Sequence, residues 1–87
     1  MPRYLLFRTV GELTDEDIKE GSLQSLAVLD EMPSIRWIRS YYSAEEGKIY
    51  CEYEAASIEL LFEHARRAGI PLERAVVVRE LEPAMFR

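Results

Sequence analysis

His64 is the only histidine and Cys51 the only cysteine in this chain. Imidazole nitrogen and thiolate sulfur are ligands for borderline and soft metal ions, and imidazole is also the usual proton carrier near neutral pH. Glu52 and Glu54 follow Cys51 at alternate positions. In an extended strand their carboxylates share one face with Tyr50, while Cys51 and Tyr53 share the other. Two carboxylates on one face suit a metal ion or general acid–base work. Each residue also has a plainer reading. His64 falls at the boundary of an apolar helix stripe, where a lone histidine is structural or solvated. A lone strand cysteine packs as a small hydrophobe. Glu52 and Glu54 can pair across strands with Arg36 or Arg39.

A second group, Trp37, Arg39, Tyr41 and Tyr50, has the makeup of a cavity wall or an interface. Strict alternation puts Ile35, Trp37, Arg39 and Tyr41 on one face and Arg36, Ile38, Ser40 and Tyr42 on the other. Both faces then carry residues that are costly to leave in water, whereas a sheet with one solvated face alternates more cleanly. No nucleophile–base–orienter set is legible. The four scattered glycines build no phosphate loop.

The elements that hold these residues follow from pattern. Ile35–Ala55 reads as a β-hairpin, with strands over Ile35–Ser43 and Lys48–Ala55. Ala44–Gly47 forms the turn, with Gly47 supplying a positive φ. An apolar run, Tyr4 to Phe7, marks a first strand over Arg3–Val10. Thr14 and Asp17 form an acidic capping box opening a helix that runs to Glu31. Its expected buried stripe is Ile18, Ser22, Ser25, Leu26, Leu29 and Met32. Ser57 opens a second helix ending at Ala68, with Gly69 as its stop and Pro71 beyond. Its apolar face is expected to be Ile58, Leu61, Phe62, Ala65 and Ala68. Ala75–Leu81 reads as the last strand, and Met85 and Phe86 in the tail either dock or fray.

The order β-α-β-β-α-β predicts an α+β ferredoxin-like sandwich as a single domain over 1–87: one four-stranded antiparallel sheet with two helices on one face. The first strand lies beside the third, and the fourth takes the far edge. The opposite sheet face has nothing in the chain to cover it, which predicts a homodimer, with sheets meeting as a dimeric α+β barrel. A net charge of −5 argues against nucleic acid. The lone cysteine, with no signal peptide and no long apolar run, fits a cytoplasmic protein off the membrane.

The blocks MPRYL, EMPSIRWIRSYYSAE, KIYCEYEA and EHARRAGIP resemble a bacterial, largely actinobacterial, domain family of unknown function. That family includes small nickel-binding proteins with a dimeric ferredoxin-like fold. The resemblance runs from Arg3 to about Glu82. Its most specific parts are Tyr50-Cys51-x-Tyr53-Glu54-Ala55 and Glu63-His64-Ala65-Arg66-x-x-Gly69-x-Pro71. It implies a nickel or similar divalent ion near a dimer interface, with His64 and Cys51 as candidate ligands and Glu52, Glu54 or a second chain completing the shell. Phe7 stands where the resemblance leads one to expect a glutamate. The competing expectation is a dimeric α+β-barrel enzyme, or a small-ligand-binding protein, using a cavity over the open sheet face.

Overall fold

The structure, a computed structural model, describes residues 1–87. Its elements are β1 (Arg3–Thr9), α1 (Asp15–Glu31), β2 (Ile35–Ser43), β3 (Lys48–Ala55), α2 (Ile58–Ala68), β4 (Arg74–Val78) and a final 3-10 turn (Pro83–Phe86). All pairings are antiparallel, and the strand order is β2-β3-β1-β4. This is the expected ferredoxin-like sandwich, with β1 beside β3 and β4 at an edge. No helix is long and apolar enough to cross a membrane.

Local chemistry accounts for the element ends. Thr14 and Asp17 bond reciprocally, Thr14 N–H to Asp17 Oδ2 at 2.9 Å and Asp17 N–H to Thr14 Oγ1 at 3.0 Å. These bonds satisfy orphan donors at the start of α1 and hold the Asp17 carboxyl below its usual pKa, the Thr14 backbone N–H being the larger cause. α2 stops at Gly69, which takes φ 69°. Gly47 takes φ 66° in the hairpin turn, and its carbonyl accepts from both Val10 N–H and Gly11 N–H. The turn thereby grips the end of β1. β4 ends at Val78, short of the expected Leu81, because Val78 already pairs with Arg3, the first residue of β1. The tail does not dock: Met85 and Phe86 are exposed.

Tyr4, Leu6 and Arg8 alternate as the buried residues of β1. They share the helix-covered face with Cys51, Tyr53 and Ala55 of β3. Leu61 of α2 and Met32 after α1 close the core. Each helix face departs from expectation by one residue. Leu26 is exposed and Val28 packs on the core in its place, so the α1 stripe runs Ile18, Ser22, Ser25, Val28, Leu29 and Met32. In α2 the buried set is Leu61, His64, Ala65 and Ala68, while Phe62 is exposed. His64 is therefore core, not boundary.

The hairpin departs from strict alternation. Trp37 pairs with Tyr53 and Arg39 with Glu52, which leaves Ile38 as an extra residue in a β-bulge. One inserted residue flips the side of everything after it. Trp37, Ser40 and Tyr42 thus share the helix face, and Arg36, Arg39 and Tyr41 share the open one. The two alternating sets expected for this strand each belong half to one face and half to the other.

Candidate functional site

The expected metal set is divided by the sheet. Cys51 lies on the helix side, 4% exposed, and Glu52 and Glu54 lie on the open side. His64 has no exposed surface, and its Nε2 sits 3.2 Å from the Ser25 carbonyl oxygen and 3.3 Å from Ser25 Oγ. Nε2–H donates to that carbonyl, which fixes the neutral tautomer and leaves Nδ1 as a buried atom without a partner. Burial, first, and the nearby Arg8 charge hold the His64 pKa below its usual value, against the Ser25 bond. Nowhere do three His, Cys, Asp or Glu side chains gather as they would around a metal ion. The four residues do not fit one metal centre within a chain.

On the open face the carboxylates are already engaged. Glu54 Oε1 meets Arg36 Nη1 at 3.1 Å and Glu52 Oε1 meets Arg39 Nε at 3.6 Å. Arg3 reaches both carboxylates, at 3.8 Å and 3.7 Å, and Glu80 at 3.1 Å. This is the cross-strand pairing expected as the plainer reading. Phe7 sits edge-on to Tyr50 at 5.7 Å, with Arg74 over its ring. Tyr50 donates to Glu46, which raises the phenol pKa. Tyr41 is exposed, while Trp37 is on the other side of the sheet.

The cavity in this fold lies between α1 and the helix-facing side of the sheet, not over the open face. Its volume is about 520 Å³, within the range of small-molecule sites. α1 contributes Ile18, Gly21, Ser22 and Ser25; the sheet contributes Arg8, Trp37, Ser40, Tyr42, Cys51 and Tyr53. Trp37 stacks on Tyr53 with centroids 6.3 Å apart and donates its indole N–H to Ser40 Oγ at 2.9 Å. Burial raises the Tyr53 phenol pKa.

Arg8 is 4% exposed and belongs to none of the ion pairs. Its Nη1 donates to the Pro71 carbonyl at 2.7 Å, and its Nη2 is buried with no partner. Arg8 is not among the residues expected at the site, because the apolar run Tyr4–Phe7 beside it masks its alternation. The signal was there: Arg8 is in phase with Tyr4 and Leu6, so a strand with those two inward must bury a guanidinium. Ser22 and Ser25, in a stripe that should be apolar, pointed to the same unfilled space.

A β-α-β-β-α-β sandwich with one uncovered sheet face and a pocket under its first helix defines the chain as a ferredoxin-like α+β protein. Residues 4–78 match the family described as nickel responsive protein SCO4226-like, and the chain belongs to that family. The crystal structure of SCO4226 from Streptomyces coelicolor A3(2) is similar, with a TM-score of 0.81 at 17% identity, over 92% of this chain and 99% of that one. At that identity the likeness shows the fold. No curated protein matches the sequence.

Proposed function

We propose that this chain is a small homodimeric binding protein that takes a divalent metal ion, nickel or one like it, where two open sheet faces meet. The family's description supports the metal. The observation that carries the dimer is the uncovered face, on which Leu5, Phe7, Tyr50 and Val76 are only half-buried. A second copy covers such a surface best. Of the four expected ligands, Glu52 and Glu54 are the two that this contact would bring against their counterparts. An ion there needs donors from both chains, because one chain gathers no three. It also competes with Arg3, Arg36 and Arg39 for the carboxylates, so binding is weak. Cys51 and His64 act as packing residues. The reading places the protein in the cytoplasm, where reducing conditions keep Cys51 a free thiol.

The test is calorimetric titration of chelator-treated protein with nickel chloride, with light scattering across a dilution series. The proposal expects a dimer and a saturable heat, lost in Glu52→Gln/Glu54→Gln and retained in His64→Gln. No heat from the wild type, or loss in His64→Gln alone, overturns the site. A monomer at micromolar concentration overturns the dimer.

A further inference from the structure

A buried guanidinium is a permanent cation, and an uncompensated one costs folding free energy. Arg8 is such a cation: its Nη2 has no partner, no carboxylate pairs with it, and it lines a cavity that has room for a ligand. The fold would be better served by an apolar residue there unless something of opposite charge comes to meet it.

The other walls define what that is. Trp37 and Tyr53 present stacked aromatic surface, and Ile18 and Ile49 are aliphatic. Serine and tyrosine hydroxyls supply a few hydrogen-bonding points, as small-molecule sites do. Arg8 is the only Lys or Arg in the lining, and Asp17 at the wall adds negative charge. A single cation in an apolar lining favours a monoanion over a phosphate dianion, and the planar guanidinium matches the two oxygens of a carboxylate. α1 leaves the space open: a Cβ placed on Gly21 would meet nothing within 4 Å.

We propose that the cavity between α1 and the sheet binds a small organic carboxylate with a flat apolar body, its anionic end held by Arg8 and its body against Trp37 and Tyr53. This site is separate from the open face and needs neither the metal nor the dimer.

Trp37 is the only tryptophan, so its fluorescence reports the cavity directly. The experiment titrates the full chain with phenylacetate, octanoate, phenylacetamide and inorganic phosphate, reading Trp37 emission. Phenylacetate is expected to bind more tightly than phenylacetamide by roughly tenfold, the worth of one charge-assisted hydrogen bond. Phosphate is expected to be weaker than phenylacetate. Arg8→Met should remove the preference for acid over amide. Gly21→Leu, which keeps Arg8 and adds a helix-favouring side chain, should block both compounds. Labelling of Cys51, which lines the same cavity, should slow when phenylacetate is bound. The proposal is overturned if phenylacetate does not bind or binds less tightly than octanoate, if acid and amide bind alike in the wild type, or if Gly21→Leu leaves binding unchanged. Phosphate binding more tightly than phenylacetate would assign the cavity to an inorganic anion and overturn the carboxylate.

Discussion

Arg8→Met separates a ligand-binding arginine from a structural one by its effect on the empty protein. The substitution removes a 2.7 Å hydrogen bond to the Pro71 carbonyl, worth ~1.5–3 kcal/mol for a charged donor. It also removes a guanidinium placed 6.0 Å from the Tyr53 ring centroid, worth up to ~2 kcal/mol when desolvated. Against these stands the relief of a buried charge whose Nη2 has no partner, which returns ~1–3 kcal/mol or more. Methionine keeps the apolar stem and fills the space. At mid-range the losses exceed the gain by about 1 kcal/mol, and stability should fall by less than about 2 kcal/mol. The assay is urea unfolding followed by circular dichroism, at fixed protein concentration so that any dimerisation contributes equally. A loss of about 3 kcal/mol or more, the range for breaking a satisfied buried ion pair, would refute the reasoning. With phenylacetate at about a hundred times its dissociation constant, the wild type should gain ~2.7 kcal/mol and Arg8→Met far less.

Burial keeps the His64 pKa below 6.5, the unperturbed value, so as pH falls below 6.5 the unfolded chain takes up a proton that the native chain resists. Stability present at pH 7 should therefore fall on acidification below 6.5, and His64→Gln, which can still donate to the Ser25 carbonyl, should flatten that slope in urea titrations. An unchanged slope would mean that His64 is not the group responsible. Asp17 and Glu73, whose pKa values are lowered by their bonds to Thr14 and Thr9, lose their contributions only in the more acid carboxylate range. Gly47→Ala combines φ 66° with a Cβ 3.1 Å from the Gly11 Cα, and should cost ~1–2 kcal/mol or more in thermal or urea unfolding. Gly21→Ala, a mid-helix change into open space, should stabilise by up to ~1 kcal/mol; destabilisation would mean that the space under α1 is smaller than described.

The sequence revealed the frame closely and the site poorly, for a shared physical reason. Caps and turns are local chemistry, so Thr14, Gly47 and Gly69 marked their elements within a residue or so. The hairpin strands Ile35–Ser43 and Lys48–Ala55 coincide with the observed ones. The faces were harder, because they depend on a pairing partner. The bulge at Ile38 arises from β3 having no residue to oppose it, and nothing within β2 announces that. The burial of His64 in α2 is likewise decided by what lies beneath the helix. A lone histidine between Leu61 and Ala65 reads as a stripe edge until Ser25 of α1 is seen facing it. Alternation did place Cys51 opposite Glu52 and Glu54, so the division of the expected metal set was legible even though the face of each was not. Arg8 was hidden by the hydrophobicity of its neighbours, although its phase with Tyr4 and Leu6 placed it inward.

The most direct test of the account is nitrogen–proton NMR of the arginine side chains and the Trp37 indole, recorded as phenylacetate is added. The cavity reading predicts saturable shifts at Arg8 and Trp37, with Arg3, Arg36 and Arg39 on the open face unmoved. Shifts confined to those open-face arginines, or none at Arg8, would contradict it.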